Sequence, residues 1–306
     1  MVPKTSDRGT DRATSGTTAT VYISAHYLPD RVRFLETVLD AIRGWPFDWV
    51  DVALVTNDLL LGEVPTVQSL RAKYQSKGWT LRIEHASDLA HPFHLTWWHK
   101  RHLRPWLEKA RTGRDYFIYL EDDIVLTREN IAYFLDARPR LATRGLIPGF
   151  LRFENIEGIR HSVDFVQAQP VNRRSTLRVD GQRYIVPLNP YWAGFVLDRA
   201  LAEEYVATPS FQLEPSATRT HWEVRERAAM GLTWENVPPR ARSRYAVPID
   251  ACAPAAGCLV WHCAQNYSSD AATPFARLPL DTMFARDNLR WYLRRGVSKA
   301  RRILSL

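Results

Sequence analysis

The sequence contains few cysteines and no long apolar segment. No apolar run in the 306 residues approaches the roughly 20 residues that a membrane-spanning helix needs. The N-terminus lacks the apolar core of a signal peptide. The three cysteines, Cys252, Cys258 and Cys263, are odd in number and their spacing matches no standard zinc pattern. We therefore expect reduced structural thiols in a cytoplasmic protein.

The sequence also lacks internal repeats and any linker that would divide it into independent domains. Residues 1–18, rich in Ser, Thr, Gly and charge, are expected to form a flexible tail. We expect one α/β domain over 19–285, with one half at 19–140 and a less regular half at 141–285. A separate segment follows at 286–306.

Positive charge is unevenly distributed along the chain. The net charge is +8, and residues 286–306 combine many Arg and Lys with interleaved apolar side chains. This pattern predicts a basic amphipathic helix, which can lie on an anionic membrane surface such as the inner face of the membrane. A solvated terminal helix docked on the domain is the alternative. Nucleic acid is not an expected partner, because no recognisable binding motif accompanies the charge.

Strand and helix patterns alternate in the first half, which predicts a mostly parallel sheet covered by helices on both faces. The predicted strands of that half are 19–27, 49–58, 79–86 and 116–121, and the predicted helices are 31–44, 69–78, 94–111 and 127–137, with Thr127 as an N-cap. The second half predicts strands at 149–156, 163–169, 183–189 and 258–267, and helices at 198–207 and 221–231.

Three consecutive carboxylates, Glu121, Asp122 and Asp123, end the apolar run YFIYL at 116–120. A buried strand would deliver them to the sheet edge where ligands bind. Adjacent acids repel one another unless a cation or a polar ligand takes up their charge, and Mg²⁺ and Mn²⁺ prefer such oxygen ligands. The alternative is a solvated acidic turn that opens the next helix.

The segment FIYLEDDIVLTRENIAYFLD resembles the strand, acidic metal motif and helix of GT-A fold glycosyltransferases of the inverting N-acetylglucosaminyltransferase I type. The upstream segment LTWWHKRHLRPWL resembles the helix that precedes this motif in that group. The resemblance covers roughly residues 19–140. It implies a GT-A-like, Rossmann-like fold, a nucleotide-sugar donor, a glycan or lipid-linked saccharide acceptor and a Mn²⁺ or Mg²⁺ cofactor.

The resemblance also implies roles for individual residues. Asp123 would bind the metal, and Glu121 and Asp122 would face the ribose and diphosphate. A C-terminal histidine, here His262, would be a second metal ligand. The remaining donor-side residues that it implies are Ser24 and His26 near the base and Asn57 beside them. On the segment LTWWHKRHLRPWL, Lys100 or Arg101 would approach the donor phosphates as a cation, and a solvated basic helix face is the alternative.

The prediction of the acceptor side rests on two further segments. HWEVRERAAMG (221–231) offers Glu223 as the carboxylate that deprotonates the acceptor hydroxyl in an inverting transfer, with Glu226 one turn later; a helix-stabilising acid is the alternative. In NPYWAG (189–194), Tyr191 and Trp192 could stack on a sugar ring, and Gly194 would allow close approach of the backbone. A buried turn is the alternative.

Four histidines, His91, His94, His99 and His102, lie close together. Their spacing does not match helical zinc ligands, so packing and hydrogen bonding are the expected roles. For the whole chain we expect a metal-dependent glycosyltransferase. The alternatives are a nucleotidyltransferase of related fold, which should carry a Gly-rich loop that SAHYLPDR lacks, and a non-enzymatic carbohydrate- or nucleic-acid-binding module.

Overall fold

A computed structural model describes residues 16–26, 28–58, 65–86, 89, 92–109, 115–171, 176–188, 190–212 and 224–286. In chain order, the strands are β1 (Thr18–Ser24), β2 (Trp49–Thr56), β3 (Trp79–His85), β4 (Asp115–Glu121), β5 (Ile124–Val125), β6 (Ile147–Pro148), β7 (Leu151–Ile156), β8 (Ile159–Ser162), β9 (Gln169–Val171), β10 (Thr176–Val179), β11 (Gln182–Ile185), β12 (Gly194–Asp198), β13 (Tyr245–Asp250), β14 (Ala253–Pro254), β15 (Leu259–His262), β16 (Leu278–Pro279) and β17 (Phe284–Arg286). The helices are α1 (Val32–Arg43), α2 (Pro65–Tyr74), α3 (His99–Lys109), α4 (Arg128–Ala142), α5 (Arg199–Val206), α6 (Val224–Ala229) and α7 (Asn266–Ser269).

The central sheet has the strand order β12-β4-β1-β2-β3. Strands β1 to β4 are parallel to their neighbours, and β12 joins the edge antiparallel to β4. Consecutive residues of β1 and β4 are buried, so side chains on both faces of the sheet are covered. This burial is typical of a parallel sheet with helices on both faces. The α/β class and the mostly parallel sheet are as the sequence predicted.

A second sheet places later segments beside the acidic turn. Its order is β16-β8-β7-β15-β5, and β5 pairs antiparallel with β15 so that Ile124 lies opposite His262. Helix α4 begins with the predicted Thr127 cap, whose hydroxyl accepts from the backbone N–H of Asn130. The Asn130 amide in turn donates to the carbonyls of Gly257 and Leu259. These bonds fix β15 next to the end of β4.

Several predicted element boundaries were wrong, one in the first half and two in the second. Residues 163–168 do not form a strand, and the short strand β9 begins only at Gln169. The strand predicted over 258–267 ends at His262 and is followed by α7. The helix predicted over 94–111 is a 3-10 turn, Pro92–Trp97, followed by α3. After His262 and before His99 the backbone makes local turn bonds instead: Gln265 N–H donates to the carbonyl of His262, and Trp98 N–H donates to the carbonyl of Leu95.

The largest hydrophobic cluster includes residues from both predicted halves, from Ala19 to Cys263. Helix α3 covers the sheet face that carries Tyr22, Phe117 and Tyr119, where His99 packs against Tyr119. None of the described helices is long and apolar enough to cross a membrane. The tail at 1–15 and the segment 287–306, and with them most of the predicted basic helix, lie outside the described residues.

The three thiols are not disulfide-bonded, and two of them, Cys258 and Cys263, are buried. The histidines His99 and His102 have the packing and hydrogen-bonding roles expected for them: His99 Nδ1 lies 2.9 Å from the carbonyl oxygen of Thr96, and His102 Nε2 lies 3.1 Å from Glu84 Oε2. His91 lies outside the described residues.

Candidate functional site

A cavity of about 700 Å³ opens at the C-terminal edge of the central sheet. Strand-end residues form its floor, and the second half of the chain contributes one wall. Apolar side chains, Leu28, Phe93 and Phe275, also line it. Its charged and polar lining includes Ser24, His26, Arg31, Glu121, Asp122, Asp123, Arg152, Asp164, Glu226 and His262.

Sheet register brings the acidic triplet to this cavity. Ser24 at the end of β1 lies opposite Glu121 at the end of β4, so the two strands finish at the same level. Asp122 and Asp123 then form the tight turn that leads into β5, and both are buried. The interpretation as a solvated acidic turn therefore does not hold for these two residues.

Arg31 contacts two acids of the turn, Asp122 and Asp123. It follows β1 and donates from Nε to Asp122 Oδ2 at 2.8 Å, with a second, shorter bond to Asp122 Oδ1. The same guanidinium also donates to Asp123 Oδ2 at 2.9 Å. One arginine therefore bridges two buried carboxylates, a geometry for which the planar guanidinium is suited.

His262 lies on the other side of Asp123. Its Nε2 is 3.4 Å from Asp123 Oδ2, and its Nδ1 is 2.6 Å from Glu154 Oε1. The pairing of β15 with β5 and β7 creates this arrangement, because the backbone N–H of Cys263 also donates to the carbonyl of Asp123. The predicted pair of Asp123 and His262 is thus brought together.

Burial and charge shift the pKa values of these groups in opposite directions. Burial and, to a smaller extent, the negative charge of Asp123 together raise the pKa of Glu121 to about 7. Burial also raises the pKa of Asp122, although the hydrogen bonds from Arg31 oppose that shift. For Asp123, burial is outweighed by the hydrogen bond and charge of His262 and by Arg31, so its pKa lies below the ordinary value. Asp123 is therefore the acid of the triplet that is most strongly held as a carboxylate.

The residues fit a divalent cation that shares its coordination with a ligand. Within the described residues, no donor reaches the buried Oδ1 of Asp123. The donor set of Asp123 and His262, a carboxylate and an imidazole, suits Mn²⁺. No cluster of three or more metal-ligating side chains is found in the described part of the chain. Such a two-residue site is typical of metals that complete their coordination with substrate phosphates.

A second arginine also lines the cavity. Arg152 is buried, pairs with Asp164, and lies over the ring of Tyr191 with 4.6 Å between its Cζ and the ring centroid. The Tyr191 hydroxyl donates to Glu121 Oε1 at 3.1 Å. Tyr191 therefore lines the cavity, where its hydroxyl holds Glu121 and its ring presents an aromatic surface.

The predicted nucleotide-side residues lie at the ends of the first two strands. Ser24 Oγ is 3.0 Å from the Tyr119 hydroxyl, and His26 Nδ1 is 3.1 Å from Asn57 Oδ1. Ser24 and His26 line the cavity, and Asn57 supports His26 from the end of β2. The structure therefore brings these residues together at one edge.

Three predicted site residues lie elsewhere. Lys100 is buried and donates to the carbonyl of Ser210 at 2.8 Å, so its ammonium is directed into the protein instead of the cavity. Trp192 is 2% exposed and packs against Phe150 in the core. A Cβ on Gly194 would lie 2.7 Å from both the Trp192 ring and the carbonyl oxygen of Tyr119. Gly194 thus allows close packing within the protein. Trp192 and Gly194 of the NPYWAG segment therefore fit the alternative interpretation, a buried turn.

Glu223 lies outside the described residues. Glu226, one turn later on α6, lines the cavity and lies near Tyr191. Sequence patterns alone did not identify Arg31, Arg152, Glu154 or Asp164 as site residues. A usable signal was the charge within LRFENI (151–156), a strand whose first four residues are all buried, since buried charges in a strand require partners.

No family model matches the sequence, and no curated protein matches it in sequence. Solved structures to which this chain is similar include Staphylococcus aureus TarS, residues 1–349. It is 13% identical over 81% of this chain and 61% of the other, with a TM-score of 0.39. The manganese complex of Rv0371C from Mycobacterium tuberculosis H37Rv is 15% identical over 46% and 64% of the two chains, with a TM-score of 0.27.

The mannosyltransferase PcManGT from Pyrobaculum calidifontis, in complex with GDP-mannose and Mn²⁺, is also similar. It is 12% identical over 63% of this chain and 47% of the other, with a TM-score of 0.33. The chain spans less than two thirds of each of these three structures. Residue roles here therefore rest on the geometry of this chain.

Proposed function

We propose that the protein is a metal-dependent glycosyltransferase that moves a sugar from a nucleotide-sugar to a glycan or lipid-linked saccharide. One observation carries this proposal: three consecutive carboxylates at the end of the central strand β4 line a cavity that is also lined by two arginines and two histidines. Alternating negative and positive groups of this kind suit a ligand with a charged diphosphate and a polar sugar.

Asp123 and His262 are the residues that would hold Mn²⁺ or Mg²⁺. When bound there, the cation would supply positive charge opposite the diphosphate that leaves with the nucleotide. Arg31, which lines the same cavity, adds a fixed positive charge on that side. The acids Glu121 and Asp122 would face the ribose and diphosphate, with Ser24 and His26 toward the base.

An acid from the segment around α6 would act as the base. Inverting transfer requires one carboxylate to accept the proton of the acceptor hydroxyl as that oxygen attacks the anomeric carbon. Glu223 keeps this role as a prediction. Glu226 is the acid of the same segment that lines the cavity, and we propose it as the second candidate. Tyr191, with Tyr267 on α7, offers the aromatic surface for a sugar ring.

The test is a hydrolysis screen of UDP-, GDP-, CMP- and dTDP-sugars with Mn²⁺, with and without EDTA. We expect turnover with one nucleotide class, loss of turnover in EDTA, and a loss of at least about hundredfold in Asp123→Asn. Asp281→Asn is the matched control, because Asp281 is exposed and does not line the cavity. Glu223→Gln and Glu226→Gln are assayed separately, and the variant that loses turnover identifies the base.

Other outcomes identify the alternatives. A nucleotidyltransferase would join a nucleoside triphosphate to a sugar phosphate and release pyrophosphate. A glycosyltransferase that uses a nucleoside-diphosphate sugar would instead release a nucleoside diphosphate. A binding module would retain carbohydrate in EDTA without turnover. If calorimetry detects no binding of any nucleotide or nucleotide-sugar, the glycosyltransferase proposal is wrong.

A further inference from the structure

Arg31 donates hydrogen bonds to both carboxylate oxygens of Asp122, next to the candidate metal ligand Asp123. It ends the one-turn 3-10 helix Pro29–Arg31, which joins β1 to α1. Its guanidinium contacts both oxygens of Asp122 and Oδ2 of Asp123. The Arg31 side chain keeps 26% of its surface exposed, and that surface lies on the cavity.

Arg31 contacts the two carboxylates differently. Both oxygens of Asp122 accept from Arg31, so a metal at Asp122 would have to share these oxygens with the guanidinium. On Asp123, Oδ2 is shared by Arg31 and His262, which leaves Oδ1 as the oxygen that no described donor reaches. A guanidinium this close to both acids also reduces their attraction for a second cation, because the charges interact across a partly desolvated site.

From this geometry we propose that Arg31 is a positioning residue that makes metal binding depend on the nucleoside diphosphate. The inference rests on the proposed function. Without nucleotide, the site offers one carboxylate oxygen and one imidazole beside a resident cation, so the metal is held weakly. The diphosphate adds negative charge and oxygen ligands, and the exposed edge of Arg31 is placed to donate to it. Metal and nucleotide therefore bind with positive coupling.

The experiment measures Mn²⁺ affinity by titration calorimetry on the full chain, alone and with saturating UDP or GDP. We expect Arg31→Gln to bind Mn²⁺ at least about tenfold more tightly than wild type without nucleotide, because Asp122 and Asp123 lose their counter-ion. We expect the further tightening by nucleoside diphosphate to shrink at least severalfold. Arg31→Lys should lie between the two, since lysine keeps the charge but not the fork of donors.

The matched control is Arg33→Gln. Arg33 is exposed and lies over the Phe34 ring, with 4.9 Å between its Cζ and the ring centroid. It should keep wild-type values. Thermal melts of each variant identify a loss of fold, and Arg31→Lys carries the test if Arg31→Gln does not fold.

Two failures are distinguishable. If wild type binds Mn²⁺ and nucleotide with positive coupling, but folded Arg31 variants bind Mn²⁺ no more tightly and keep that coupling, the inference is wrong and the proposed function stands. If wild type binds no Mn²⁺ with any nucleoside diphosphate, the metal-dependent function itself is wrong, and the inference fails with it.

Discussion

The Nδ1 atom of His262 lies 2.6 Å from Oε1 of Glu154, a carboxylate with no exposed surface. Backbone N–H groups of Tyr267 and Ser268 also donate to Glu154. Because Glu154 orients one ring nitrogen, the other is directed at Asp123. A second carboxylate that fixes a histidine in this way is a frequent feature of metal sites. Burial lowers the pKa of His262, but its hydrogen bonds to Asp123 and Glu154 outweigh burial and raise it to about 9, so a metal that binds Nε2 would displace a proton.

Glu154→Gln should weaken metal binding by about 10–100-fold, because the amide keeps the shape of the side chain but loses the charge that orients His262. The measurement is Mn²⁺ titration in the presence of the nucleoside diphosphate that binds. Glu157→Gln, on the exposed turn after β7, should keep the wild-type affinity. Equal affinities for the two variants would mean that Glu154 has only a structural role.

The buried Lys100 predicts a rise of stability with pH. Burial lowers its pKa from 10.5 to about 7. Between these values the unfolded chain holds a proton that the folded protein releases, so the free energy of unfolding increases with pH by up to about 1.4 kcal/mol per unit from this group.

Lys100→Met should flatten this pH dependence, measured by urea unfolding at about pH 7 and about pH 9. It should leave nucleotide affinity unchanged, because the ammonium donates to Ser210 and does not line the cavity. Lys77→Met, at an exposed position, is the control and should keep the wild-type slope. A parallel shift of the wild-type and Lys100→Met curves would contradict a buried, neutralised Lys100.

The Arg152–Asp164 pair should be essential for stability. Both side chains are 7% exposed, and removing one partner of a buried pair leaves an uncompensated charge. Asp164→Asn should therefore cost about 3–5 kcal/mol in urea unfolding. Asp136→Asn breaks the exposed pair with Arg140 on α4 and should cost about 0–1 kcal/mol. Similar costs for both variants would show that Arg152 finds another partner.

Gly194→Ala should destabilise the protein by overpacking. The added Cβ would contact the Tyr119 carbonyl oxygen at 2.7 Å, and backbone cannot yield as a flexible side chain can. A cost of about 1–3 kcal/mol is expected from chemical unfolding. Gly44→Ala, where the nearest atom is 3.4 Å away, should be neutral or stabilising. An unchanged unfolding midpoint in Gly194→Ala would contradict the close packing of β12 on β4.

Local patterns predicted much of the first half of the chain. The strands β1 to β4 and the cap at Thr127 follow from apolar periodicity and from side chains that bond nearby backbone, which act over a few residues. Prediction was poorer after residue 160, where short strands such as β9 pair with distant segments and carry little periodic signal of their own.

The sequence by itself determined the α/β class and the position of three carboxylates at the end of a buried strand. Tertiary structure decided which groups surround those carboxylates. Arg31 is 91 residues from Asp122 in the chain, and Glu154 is 108 residues from His262. Such pairs depend on strand order and register across two sheets, which bring together charges whose spacing in the sequence carries no sign of contact.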